Sequence, residues 1–164
     1  MVKKIAIGLL IIFVAIQFIR PDKNISTQPS ASHIATHYNT PDDVNAILER
    51  SCYDCHSNNT RYPWYASIQP VAWWLDHHIE EGKGEINFDE FMTLKPKKAH
   101  HKMDEVNEMV QEGEMPLKSY TLVHRNAILS RDEKTKVSNW ALAVMKTIEQ
   151  ENAAELKNEE ANKH

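Results

Sequence analysis

The first twenty residues are unlike the rest of the chain. Lys3 and Lys4 precede an apolar run from Ile5 to Ile19 in which Gln17 is the one polar side chain, and Arg20-Pro21 closes it. The run is long for the core of a signal peptide and short for a bilayer span, which takes roughly 20 residues. Counting from Val2 and letting Lys3, Lys4 and Arg20 snorkel makes a span feasible. No small-x-small pair comes just after the run, Ser30 and Ser32 are too far downstream for cleavage, and no cysteine is near for lipid attachment. An uncleaved membrane-anchor helix over residues 1–20 is the expectation, with a cleaved signal as the alternative.

From Asp22 to Tyr38 the chain is rich in Ser, Thr, Gln, Asn and Pro, and residues 21–39 read as a flexible tether. Residues 40–150 carry helical periodicity. Thr40-Pro41-Asp42-Asp43 predicts a helix start with a capping hydroxyl, and Val44, Ile47 and Leu48 form its apolar face. Residues 57–69 are irregular. Pro70 opens a second helix to Glu81, with Trp73, Trp74 and Ile79 as its larger apolar residues and Gly82 and Gly84 ending it. A third runs from about Lys97 to Glu112 and stops at Gly113, so Glu114-Met115-Pro116 lies in a loop. A short helix comes next over residues 119–128. Ser130-Arg131-Asp132-Glu133 is a capping box for a last helix striped by Val137, Trp140, Ala141, Val144, Met145 and Ile148. Beyond Glu149 the pattern fades, and residues 151–164 read as a frayed polar tail. No segment alternates as a strand does, so the fold class is all-α.

Composition adds exclusions. A formal charge of −4 over 164 residues, with both signs scattered, gives no reason to expect nucleic acid as a partner. The two cysteines are too few and too close for a disulfide framework.

Those cysteines stand in Cys52-Tyr53-Asp54-Cys55-His56, a C-x-x-C-H motif. This is the spacing of c-type haem attachment: two thiols on one turn reach the two vinyl groups, and the next imidazole is placed under the iron. From the residue frequencies of this chain, the motif arises by chance about once in a thousand such chains. The second ring nitrogen of His56 should donate to a backbone carbonyl, from Pro63 or Pro70. Zinc would need two further ligands, and the adjacent pairs His77-His78 and His100-His101 lack finger spacing. A reactive dithiol belongs after a strand at a helix N-terminus, whereas here the motif comes after a helix. Covalent haem attachment in bacteria occurs outside the cytoplasmic membrane, so the motif and the N-terminal segment agree with each other.

The stretch from Cys52 to Tyr65, Cys-Tyr-Asp-Cys-His-Ser-Asn-Asn-Thr-Arg-Tyr-Pro-Trp-Tyr, resembles the signature of a small bacterial haem-binding domain family. Further matches are Gln17 to Pro21, Trp73 to Ile79, Asn87-Phe88, Gly113 to Pro116, Tyr120, His124, Ala127, Leu129-Ser130 and Trp140. The resemblance spans roughly Pro41 to Ile148. It implies a cytochrome c-like helical domain around one covalent haem c, similar to class I cytochromes c, with a helix leading into the motif and a methionine loop before the final helix.

The resulting site has Cys52 and Cys55 as thioether donors, His56 as proximal iron ligand and Met115 as sixth ligand. Met103, Met109 and Met145 fall on helical stripes and read as core. Tyr62, Trp64, Tyr65 and Trp73 are expected to wall the haem pocket, and His124, matched in the family, is a candidate for ligation or propionate contact. The other histidines read as surface residues. The basic run from Lys95 to Lys102 reads as a solvated helix start, with docking of an acidic redox partner as the alternative. The functional expectation is one-electron transfer with redox partner proteins, without enzymatic activity, at the periplasmic face of a bacterial inner membrane. A soluble periplasmic protein is the alternative location. The rival functions are a haem sensor or peroxidase-like enzyme with an exchangeable sixth ligand, and a haem-free dithiol redox or structural module.

Overall fold

The computed structural model describes residues 1–156, so part of the expected polar tail, residues 157–164, lies outside the described residues. Among the described residues seven α-helices occur in order: α1 (Val2–Ile16), α2 (Asp42–Ser51), α3 (Tyr53–His56), α4 (Val71–Glu85), α5 (Pro96–Glu112), α6 (Lys118–Val123) and α7 (Arg131–Glu151). Short 3-10 turns cover Ile34–Thr36, Trp64–Ser67, Phe88–Thr93 and Arg125–Ala127. No strand occurs among the described residues; Ile25 and Asn59 make one isolated bridge.

Helices α5 and α7 make the most extensive helix–helix contact. Pro96 starts α5 where its missing N–H costs nothing, and Gly113 ends it at φ 77°, a left-handed conformation that favours glycine. Ala99, Met103 and Val110 are buried from α5 and face a core shared with Val137, Trp140, Ala141, Val144 and Ile148 of α7. The capping box is formed: Ser130 Oγ accepts from Glu133 N, and Glu133 Oε2 accepts from Ser130 N. Helix α2 adds Val44, Ile47 and Leu48 to the core. Its start differs from expectation, since the Thr40 hydroxyl bonds Tyr38 O and caps nothing.

Three expectations are corrected by packing. Helix α4 runs through Gly82 and Gly84 instead of ending there. A Cβ on Gly82 would lie 2.7 Å from Cys55 O, so this glycine admits the close approach of α3 and does not act as a cap. The buried residues of α4 are Ala72 and Ile79, and its tryptophans face outward. The segment 21–39 is not a free tether. Ile34 and Tyr38 belong to the core, Asn24 bonds Ser57, Thr60 and Tyr62, and His37 pairs with Glu151 at 2.9 Å. Two large apolar residues in a polar stretch are enough to fix it once they find the core.

Finally, α1 is a 15-residue helix with no buried residue, and its apolar run continues beyond it through Phe18 and Ile19 in non-helical backbone. At 1.5 Å per residue it is about 22 Å long, against about 30 Å of hydrocarbon. No helix among the described residues is long and apolar enough to cross a membrane, so the expected full-span anchor is not formed as a helix.

Candidate functional site

Helix α2 ends at Cys52, whose N–H still bonds Leu48 O at 2.8 Å. One tight turn comes next, in which the N–H groups of Cys55 and His56 both donate to Cys52 O, at 3.1 and 3.0 Å. This turn brings both sulfurs and the imidazole to the wall of one cavity of about 800 Å³. Its volume is within the usual range for sites that hold an organic cofactor. Leu48, Val106, Val110, Leu117 and Val137, with Phe88, are among its lining residues, and its surface is largely apolar.

The orientation of His56 is set from outside the motif. Its Nδ1 lies 3.0 Å from Ile86 O. A carbonyl can only accept, so Nδ1 carries the hydrogen and Nε2 is left with a free lone pair. Burial holds the imidazole below its ordinary pKa, and the neutral ring is the form that ligates a metal. The carbonyl is neither Pro63 nor Pro70, the two named from sequence. It comes from the end of α4, and Asn87 and Asp89 next to it bond Asn58, fixing Ile86 against the residues after His56.

Burial pushes the Cys52 thiol up to about 12, with Cys55 adding to the effect, and the Cys55 thiol up to about 11, with Asp54 adding to it. Both cysteines are free thiols. Reactive dithiols need the opposite shift.

Asp54, between the cysteines, carries a role that the sequence reading did not assign. Its Oδ2 accepts from the Tyr120 hydroxyl at 2.7 Å, and its Oδ1 accepts from Arg61 N and Nε, each at 3.1 Å. Thr60 Oγ1 donates to its backbone oxygen at 2.6 Å. Asp54 and Tyr120 both line the cavity, so a carboxylate bridge joins the cysteine turn to α6. A charged residue inside the motif, with Arg61 seven positions on, was the available signal.

Met115 lines the same cavity as His56 but comes from the loop between α5 and α6. Its N–H and that of Glu114 both bond Met109 O, at 3.1 and 3.0 Å, which folds the loop back over the end of α5. Met109 and His78, expected as core and surface residues, also line the cavity. Met103 is fully buried and Met145 packs against the core.

The aromatic wall is not where sequence placed it. Tyr62, Trp64, Tyr65 and Trp73 do not line the cavity. The Tyr62 hydroxyl accepts from Asn24 N, Trp73 donates its indole N–H to Ile19 O, and Trp64 is 79 % exposed. His124 is also absent from the lining. It stacks on Tyr120 with centroids 4.2 Å apart, and its two nitrogens meet Tyr65 Oη and Tyr120 O. Adjacent aromatic residues are apolar enough for a pocket wall, and periodicity alone did not say which face of α4 met the core.

At the mouth, Lys102 pairs with Glu85 at 2.8 Å and with Glu105 at 2.7 Å. His100 meets Glu149, and His101 meets Glu105. The basic run is therefore partly neutralised by carboxylates of α4, α5 and α7, and is not a uniform basic patch.

The chemistry of this donor set fits a haem. Two thiols and a neutral imidazole with a free nitrogen share one largely apolar cavity, which also holds the buried Ser51 hydroxyl, unpaired among the described residues. Fold and site together define an all-helical protein with one largely apolar cavity that carries two thiols and an imidazole. A haem-binding domain family matches residues 11–143, and the chain belongs to that family. No curated protein and no solved structure matches the chain.

Proposed function

We propose that this haem-binding protein carries one haem c, bound covalently through Cys52 and Cys55, and passes single electrons at the outer face of a bacterial inner membrane. Cys52 and Cys55 would hold the group as thioethers, each by addition of its S–H across a vinyl double bond, sulfur to one carbon and hydrogen to the other, with no net oxidation. His56 and Met115 would hold the iron, and the group would supply one-electron exchange. The observation that carries the reading is that Cys52, Cys55, His56 and Met115, from two separate segments, line one apolar cavity. A thioether ligand favours ferrous iron and raises the potential, which suits a carrier. The elevated thiols argue against a dithiol redox module. Segment 1–20, with α1 embedded in lipid, holds the domain at the membrane.

A second reading, a sensor or peroxidase-like enzyme with an exchangeable sixth ligand, is favoured by Met109 and His78, further possible ligands that line the same cavity as Met115. The two readings separate on Met115→Ala made with a haem-ligation apparatus. Loss of the low-spin spectrum and binding of carbon monoxide by ferrous iron assign the sixth position to Met115. An unchanged spectrum assigns it to another donor. On a denaturing gel stained for haem, colour must stay with the polypeptide; a colourless band refutes covalent attachment.

A further inference from the structure

Five apolar side chains stand exposed on one part of the domain: Trp64 and Ile68 around the 3-10 turn, and Val71, Trp73 and Trp74 on the first two turns of α4. Buried Gln69 lies between them and is bonded to the N-terminal segment. Gln17 Oε1 accepts from Gln69 N at 2.9 Å, and Gln17 Nε2 donates to Gln69 O at 3.3 Å. Gln69 Nε2 and Trp73 Nε1 both donate to Ile19 O, at 2.7 and 3.1 Å. The end of the apolar segment is thus clamped directly to the domain by four hydrogen bonds.

We infer that this tryptophan ledge is a membrane-docking surface that seats in the interfacial layer of a lipid bilayer, fixing the domain's orientation on the membrane. The inference rests on the proposal that α1 is embedded in lipid, and three observations carry it further. All of α1 is unburied by protein, and Phe18 and Ile19 beyond it are 84 % and 61 % exposed. A helix about 22 Å long is shorter than the hydrocarbon layer, so lipid insertion draws Gln17 to Ile19 towards the bilayer. The groups bonded to Gln17 and Ile19 must share their depth to within a few ångströms, and these are Gln69 and Trp73. A tryptophan, with an apolar ring and a polar N–H, is suited to that layer. Arg20 and Lys23 come next in the chain, where cations meet headgroup phosphates.

The test uses the full haem-loaded chain with vesicles of phosphatidylcholine and phosphatidylglycerol, read by co-sedimentation and by hydroxyl-radical footprinting. Vesicles should lower the oxidation of Trp64, Trp73 and Trp74 by about fivefold or more, while exposed Leu142 on α7 stays unchanged. The double variant Trp64→Gln/Trp74→Gln changes two exposed residues and leaves the clamp intact. It should weaken vesicle binding by about tenfold or more. Co-sedimentation with all three tryptophans still reactive overturns the docking surface and leaves the embedded helix standing. Failure to co-sediment overturns both. Protection that tracks protein concentration without vesicles assigns the ledge to a second copy of the chain, and also overturns it.

Discussion

The two segments that bring His56 and Met115 to the cavity are held very differently. On the histidine side, the turn from Cys52 to His56 is closed by its own backbone bonds, braced by Ile86 O, and pressed against Gly82 with no room for a methyl group. On the methionine side, Met115 comes two residues after a left-handed glycine, in a loop bonded to Met109 O, and Tyr120 further on ties this side to the cysteine turn through Asp54. The first side is fixed from several elements at once, the second from few. The imidazole is therefore the more firmly held of the two candidate ligands, and Met115 is the one with room to adjust.

The contrast can be broken most strongly at Gly82. Gly82→Ala puts a methyl group against Cys55 O, a backbone atom that cannot step aside. A loss of about 2 kcal/mol in denaturant unfolding, with reduced haem incorporation, is expected. Wild-type stability and yield would show that α3 and α4 are not in the tight contact described.

Tyr120→Phe probes the other side and should be milder at the haem. It removes one hydrogen bond to a carboxylate, about 1.5 kcal/mol, while Arg61 still pairs with Asp54. With the methionine loop loosened, ferrous iron should take up carbon monoxide faster than wild type, and the covalent attachment should be untouched. Equal uptake rates would detach Tyr120 from any role in placing Met115.

The smallest effect is expected at the α7 cap, which does not line the cavity. The Ser130 N–H and Arg50 hold the Glu133 carboxyl down at about 2. A carboxyl lowered by folding stabilises the native state above its unfolded pKa, and that contribution is lost as pH falls from about 4.3 towards 2. Glu133→Gln should therefore cost under about 1 kcal/mol at pH 7, and the gap to wild type should close across that acid window. Parallel acid-unfolding curves would remove the cap from the account.

Legibility divides along the same line. Helix α5, bounded by Pro96 and Gly113, and α7, started by Ser130 and Glu133, appear nearly where their patterns put them. The cysteine turn is legible because its chemistry is local. The partner of His56 is not, because the carbonyl of Ile86 is thirty residues away and nothing marks a carbonyl in sequence. Tyr120 is matched in the family without a role, since its bond to Asp54 spans sixty-six positions. The tryptophans read as pocket residues because hydrophobicity does not distinguish a ring that faces the core from one that faces outward.

What the sequence determined by itself is what a few consecutive residues can enforce: the limits of α5 and α7, the apolar stripes of α2 and α7, and a turn presenting two sulfurs and an imidazole. Backbone bonds within a turn and side-chain period need no distant partner. The tertiary structure alone decided which carbonyl orients the imidazole, that Gly82 serves contact instead of termination, that residues 21–39 pack, and that Gln17 grips Gln69. Each depends on two stretches meeting in space, and that meeting is set by how the whole set of apolar faces closes over one core.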